Sequence, residues 1–154
     1  MEKVQRELKV TAIENGTVID HIPSNRAFQV IKILDLADCS DEIFLGVNLE
    51  SKKLAEGKGI IKVSNRYFAD HEINKISLVA PTATLIEIRN YEVTLKKKVQ
   101  IPATVQGIVK CFNPNCITNH QPITTCFKVI DETDLKLQCR YCEKITAKNN
   151  IVFL

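Results

Sequence analysis

Four cysteines in two short pairs constrain this chain more than any other feature. Cys111-Phe112-Asn113-Pro114-Asn115-Cys116 and Cys139-Arg140-Tyr141-Cys142 are separated by 22 residues. Each pair fits on one turn, and two such turns deliver four sulfurs to a tetrahedral Zn²⁺ at about 2.3 Å. Four thiolates leave no position for water or substrate, so Cys111, Cys116, Cys139 and Cys142 are expected to hold one structural ion that performs no chemistry. Two other readings compete, a pair of disulfides and a redox-active Cys139–Cys142 dithiol. The redox reading is weakened because such dithiols open a helix after a strand in a βαβ pattern. The disulfide reading requires an oxidising compartment. The N-terminal MEKVQRELKVTAIENG carries charges every few residues and lacks a secretory apolar core, and no segment is long enough to span a membrane. A cytoplasmic location with reduced thiols and no membrane is therefore expected.

The remaining cysteines and the histidines read more plainly. Cys126 lies in the alternating run Thr124-Thr125-Cys126-Phe127-Lys128-Val129, where a free Cys is a small buried apolar residue. Cys39 has no second Cys or His in a local ligand pattern. His120 is a surface residue beside Pro122, and His71 an exposed helix position.

Charge divides the chain where composition does not. The formal net charge of +3 conceals residues 1–95, with 12 basic and 14 acidic side chains, and residues 96–154, with 9 and 4. Lys96-Lys97-Lys98-Val99-Gln100-Ile101-Pro102 runs between them, a charged segment ending in a proline that favours an extended neighbour. The boundary is placed there, giving domains at 1–98 and 103–154. Filling the Cys₄ site subtracts about two charges from the basic part, so its patch is modest.

In the first domain, Leu8, Val10 and Ala12 alternate with polar residues. Asn15-Gly16 follows with the chemistry of a tight hairpin turn, and Thr17–Ile22 returns as a strand. Pro23-Ser24-Asn25 offers N-caps to a helix bearing Ala27, Val30, Ile31 and Leu34. Ile43, Leu45, Val47 and Leu49 then recur with period two on one face, and Ile60–Val63 forms another strand beyond a Lys/Gly-rich loop. Asp70 is placed as the cap of a second helix with Ile73, Ile76 and Val79, closed by Pro81, and Ala83–Leu95 is β around Asn90. The order βαββαβ predicts an α+β, ferredoxin-like split βαβ sandwich, followed by a small antiparallel-β zinc domain in which Ile123, Thr125, Phe127 and Val129 alternate. No nucleophile with a base, phosphate loop or HExxH pattern is found in residues 1–95.

GTVIDHIP at 16–23, NYEV at 90–93, CFNPNCIT at 111–118 and CRYCEK at 139–144 resemble, in their order and spacing, the regulatory chain of aspartate carbamoyltransferase. The resemblance covers nearly the whole chain. It implies a non-catalytic subunit of pyrimidine biosynthesis, whose first domain binds nucleoside triphosphates such as CTP, UTP and ATP and whose zinc domain docks on the catalytic chain. It further implies a dimer with a second regulatory chain, the dimers bridging catalytic trimers.

Residue by residue, the resemblance assigns Asp20 to the ribose hydroxyls and Lys62 to the sugar and base. Lys96 falls to the triphosphate, with His21 close to the phosphates. Ile13, Ile88, Tyr91 and Val93 match a base-recognising wall, and Lys58 matches a further contact. Ile86 departs from the family pattern, which has a polar amide there. Asn113, Asn115, Glu143 and Lys144 match groups that face the catalytic chain. Read without the resemblance, the lysines are solvated charges and the asparagines zinc-loop surface groups. A different class of reading is a zinc-ribbon nucleic-acid-binding protein, disfavoured by few stacking aromatics and no Arg-rich run. The resemblance implies no nucleic-acid partner.

Overall fold

Branched and apolar residues make Gly16–Pro23 a strand, β1, buried on both faces along its first half. In the computed structural model, which describes residues 12–154, β1 is the central strand of a five-stranded antiparallel sheet. The other strands are β2 (Ile43–Leu49), β3 (Lys58–Ser64), β4 (Thr84–Arg89) and β5 (Glu92–Lys98), in the order β2-β3-β1-β4-β5. Helix α1 (Ala27–Ile33) joins β1 to β2 across β3, and helix α2 (Asp70–Val79) joins β3 to β4 across β1, which is a split βαβ arrangement.

Both helices cover one face. Ala27, Val30 and Leu34 beside α1, and Ile73, Ile76 and Val79 of α2, share a core with Ile19, Ile61, Val63 and Leu85 of the sheet. The opposite face carries a smaller apolar cluster of Ile13, Val18 and Ile60, with Leu49, Ile86 and Ile88 against it.

The hairpin expected at Asn15-Gly16 is not what β1 makes. From Gly16 to Ile19 both of its edges are occupied, by β3 on one side and β4 on the other. Gly16 is the first residue of the strand, and Ala12 stands outside it. The proposed partner residues Leu8 and Val10 lie outside the described residues. Gly16 is still required, since at φ +141° a Cβ would collide with the Val63 carbonyl oxygen.

Three caps or faces also differ. Ser24–Arg26 form a 3₁₀ turn rather than an N-cap, and the Ser24 hydroxyl accepts the Asn48 N–H at 3.0 Å. Asp70 is the first residue of α2, not its cap; Ala69 is the cap residue, and the Glu72 carboxylate accepts its N–H at 3.2 Å. Leu49 sits on the face opposite Ile43, Leu45 and Val47, because a bulge after Gly46, with Asn48 at φ 59°, shifts the parity of the strand.

Asn90 and Tyr91, at φ 52° and 65°, form the tight turn between β4 and β5, the geometry that matches the twist of a two-residue hairpin. Lys96–Lys98 are the end of β5, so the chain leaves the sheet only at Val99, itself buried in the first core.

The second lobe contains β6 (Thr104–Gln106), β7 (Val109–Lys110), β8 (Cys126–Asp131), β9 (Lys136–Cys139), β10 (Ile145–Ala147) and β11 (Val152–Phe153). A four-stranded antiparallel sheet runs β10-β9-β8-β6, and β11 pairs with β7. The strand expected around Ile123 and Thr125 begins only at Cys126. Val105, Ile108, Val109, Phe127, Leu135 and Leu137 fill its core. Leu78 of α2 reaches into this second core, and Phe153 packs against both cores, so an apolar seam joins the lobes.

Candidate functional site

The turn after β7 brings Cys111 and Cys116 opposite the turn after β9, which carries Cys139 and Cys142. All four sulfurs lie within 4.8 Å of one another, with Cys111–Cys142 at 3.6 Å and Cys116–Cys139 at 3.7 Å. A tetrahedron of sulfurs about 2.3 Å from a central zinc has edges of about 3.8 Å, so the donor set fits the ion. The same separations are far beyond a disulfide bond of about 2.05 Å. The contacts at 3.6 and 3.7 Å run between the two turns and all four sulfurs share one cluster, the arrangement of a four-sulfur site rather than of an isolated Cys139–Cys142 dithiol.

The backbone holds these turns in place. Cys139 accepts from the Glu143 N–H at 2.9 Å while its own N–H donates to the Lys144 carbonyl at 2.9 Å, closing the second turn with Glu143 at φ 65°. In the first turn the Asn119 side-chain amide donates to the Cys111 and Asn113 carbonyls at 2.9 and 2.7 Å. Burial pushes the Cys111 thiol up to about 12 and raises that of Cys139. Burial also opposes the Cys142 thiolate, but hydrogen bonds from the Lys144 N–H, the Asn113 amide, Cys111 and Cys139 pull it down to about 7.

Asn113 is only 8% exposed and serves the turn itself: its carbonyl accepts the Cys116 N–H and its side-chain oxygen the Asn115 N–H. Asn115, Glu143 and Lys144 are exposed. Around them stand Phe112, Ile117, Tyr141 and Ile145, large apolar side chains each more than 40% exposed. Sequence reading missed this apolar group, although four such residues within or beside the zinc turns were visible in it.

The residues matched to a nucleotide converge on the sheet face away from the helices. Register places Phe44, Lys62, Val18, Ile86 and Lys96 in one row across all five strands, and therefore on one face. Ile88 and Val93 pair on the same face beside them. Ile13 belongs to the cluster beneath, and Tyr91 is largely exposed on the hairpin turn.

Asp20 binds the Lys58 ammonium at 2.9 Å and lies 3.7 Å from the His21 Nδ1. Lys62 is buried, and burial lowers its pKa, with Asp20 acting in the opposite direction. Burial likewise holds the His21 imidazole below its ordinary value; Asp20 opposes this, while Lys58, Lys53 and Lys96 reinforce it. Ile86 puts a partly buried apolar side chain between Val18 and Lys96. A cleft of about 1050 Å³ adjoins this face, lined by the loop after β2 together with Phe44, Ile60, Lys58 and Lys62.

Residues 8–100 match the family model described as the aspartate carbamoyltransferase regulatory chain, allosteric domain, and residues 103–152 match the metal binding domain of the same chain. The chain belongs to the aspartate carbamoyltransferase regulatory chain family. It is 51% identical to the regulatory chain of Phocaeicola vulgatus, over 100% of this chain and 99% of that one. Similarity to the archaeal regulatory chain of Pyrococcus horikoshii is nearly as great, at 49% identity over 95% of this chain and 97% of that one. Bacteroides fragilis has a relative of the same description at 47% identity over the full length of both. Members of this family are non-catalytic chains. Membership therefore displaces both the nucleic-acid and the oxidoreductase readings, and Cys111, Cys116, Cys139 and Cys142 are its structural zinc site. Among the described residues no helix is long and apolar enough to cross a membrane.

Proposed function

We propose that the first domain, residues 1–98, senses nucleoside triphosphates on the face of the sheet away from the helices. The zinc domain, residues 103–154, carries that state to a docked catalytic chain in the cytoplasm. One observation carries the reading. On that face an apolar floor of Ile13, Val18, Ile60 and Ile88 is bordered by the Asp20 carboxylate and by Lys58, Lys62, Lys96 and His21. A carboxylate suits a ribose diol, an apolar floor suits a base, and several cations suit a polyphosphate. Lys62 meets the sugar and base, and Ile13, Ile88, Tyr91 and Val93 form the wall around the base. CTP, UTP and ATP share the diol and phosphates that these groups address. With Ile86 apolar, bases are distinguished through backbone groups more than through this side chain.

Docking falls to the zinc turns, where Phe112, Ile117, Tyr141 and Ile145 are exposed among Asn115, Glu143 and Lys144. Asn113 supports that surface from beneath. A second regulatory chain completes a dimer through the first domain. Since an effector shifts only an equilibrium whose two states it binds unequally, catalytic-site ligands must alter nucleotide affinity by the same factor as nucleotides alter theirs.

The test is calorimetry of CTP, UTP and ATP with the zinc-loaded chain, alone and assembled with its catalytic chain. Lys96→Ala is expected to weaken triphosphates at least about tenfold while leaving nucleosides nearly unchanged, as loss of one charge-assisted contact predicts. Equal weakening of both would remove Lys96 from the phosphates. Nucleotide affinity indifferent to a bisubstrate analogue in the assembly would refute coupling.

A further inference from the structure

His21 has an unusual backbone beside the nucleotide face. It has φ 58°, a left-handed conformation uncommon for a residue with a side chain, and it lies in the bulge between Ile19 and Ile22. The bulge has a purpose in packing: it lets Ile19 and Ile22 both enter the helix-side core while Asp20 points to the other face. It also leaves His21 at the edge of regular pairing, because the β1–β4 ladder ends at Asp20↔Thr84.

Two bonds hold His21 there. Its N–H donates to the Asp20 Oδ1 at 2.7 Å, and its carbonyl accepts the Thr82 hydroxyl at 2.8 Å. The Thr82 bond takes the place of the next rung of the ladder, supplied by a side chain where strand pairing has stopped. The His21 Nδ1 is itself buried without a hydrogen-bond partner, 3.7 Å from the Asp20 carboxylate.

We propose that Thr82 is a positioning residue of the nucleotide site: its hydroxyl pins the His21 carbonyl and so fixes the imidazole where phosphates arrive. This rests on the nucleotide reading above. The Thr82 hydroxyl bonds the His21 carbonyl, whereas the Asp20 carboxylate keeps its ion pair with Lys58 and Asp20 its ladder partner Thr84. Loss of the hydroxyl therefore removes one of the two bonds that hold His21 and leaves the diol contact in place. The effect belongs to the phosphate end of the ligand only.

The experiment titrates CTP and cytidine into the zinc-loaded full chain carrying Thr, Val or Ser at position 82. Thr82→Val is expected to weaken CTP about fivefold, the value of one ordinary hydrogen bond, with cytidine affinity unchanged and Thr82→Ser restoring CTP. In the ligand-free Thr82→Val chain, the His21 amide and imidazole resonances should move. CTP affinity equal to the parent, or CTP and cytidine weakened alike together with a lower Tm, would overturn the positioning role. Failure of the parent chain to bind CTP would instead overturn the nucleotide reading and this inference with it, so the two failures are told apart by the unmodified protein.

Discussion

At the scale of single residues, His21 joins conformation to ionisation. Its imidazole titrates below the ordinary 6.5, first because it is buried. With the folded value depressed, the unfolded chain holds more protons between the two values, and His21 withdraws stability as pH falls through about 6.5. A triphosphate reverses the balance by adding negative charge beside the ring. CTP binding is therefore expected to take up protons near pH 6.5 and to tighten as pH falls, a change readable by calorimetry in buffers of differing ionisation enthalpy. Because the terminal phosphate also titrates near this pH, the contribution of His21 is the difference from His21→Gln, and proton uptake equal in the two chains would mean that His21 is remote from the phosphates.

At the scale of elements, α2 belongs to both lobes. Ile73, Ile76 and Val79 face the first core, whereas Leu78 is 3% exposed within the second. Leu78→Ala is expected to cost about 2–4 kcal/mol, as removal of a buried Leu does elsewhere. Hydrogen exchange should show that loss most strongly in the seam and around Val105–Val109; protection lost only within α2 would show that Leu78 does not support the second lobe.

Much of this level was legible in the chain. Periods of 3.6 and 2 marked α1, α2 and β2, because core-facing side chains must recur with the geometry of the element that carries them, while β3 to β5 were marked by strand-like composition and the Asn90 turn. What escaped is equally physical. A bulge changes strand parity with no composition signal of its own, so Leu49 was assigned to the wrong face and the turn at His21 was unseen. Asn15-Gly16 has hairpin chemistry, yet tertiary pairing with β3 and β4 claimed both edges of the strand that follows. Cap residues were misplaced by one or two positions at Ser24 and Asp70, where local hydrogen bonds compete. The cysteine ligands were readable because two turns suffice to make the site. The row Lys62–Val18–Ile86–Lys96 was not, since it is assembled by register among strands far apart in sequence; only resemblance pointed to Lys62, Ile86 and Lys96, and nothing pointed to Val18.

At the scale of the molecule, the metal and the second core are one structure. Cys111, Cys116 and Cys139 are buried within the cluster formed by Val105, Phe127 and Leu137. Binding zinc must displace the protons that burial keeps on Cys111 and Cys139, so affinity for the ion should weaken as pH falls. Chelation is expected to unfold residues 103–154 and abolish assembly with the catalytic chain while CTP binding persists, followed by circular dichroism and calorimetry on the same sample. Loss of CTP binding at the same zinc occupancy would show that the lobes stand or fall together.

The central position of β1 bears on how the first lobe is made. β2 with β3, and β4 with β5, close through neighbouring chain, whereas β1 must find Ser64 on one edge and Ile88 on the other. Distant pairings cost chain entropy before they return contact energy, so the two hairpins are expected to form early and β1 to slot between them late. Conservative truncations in β1, such as Ile19→Val, should then speed unfolding and leave refolding almost unchanged, whereas equivalent changes in β4 or β5 slow refolding. The strand that carries Asp20 and His21 would thus be the last to arrive, and the sensing face a product of the final step of folding.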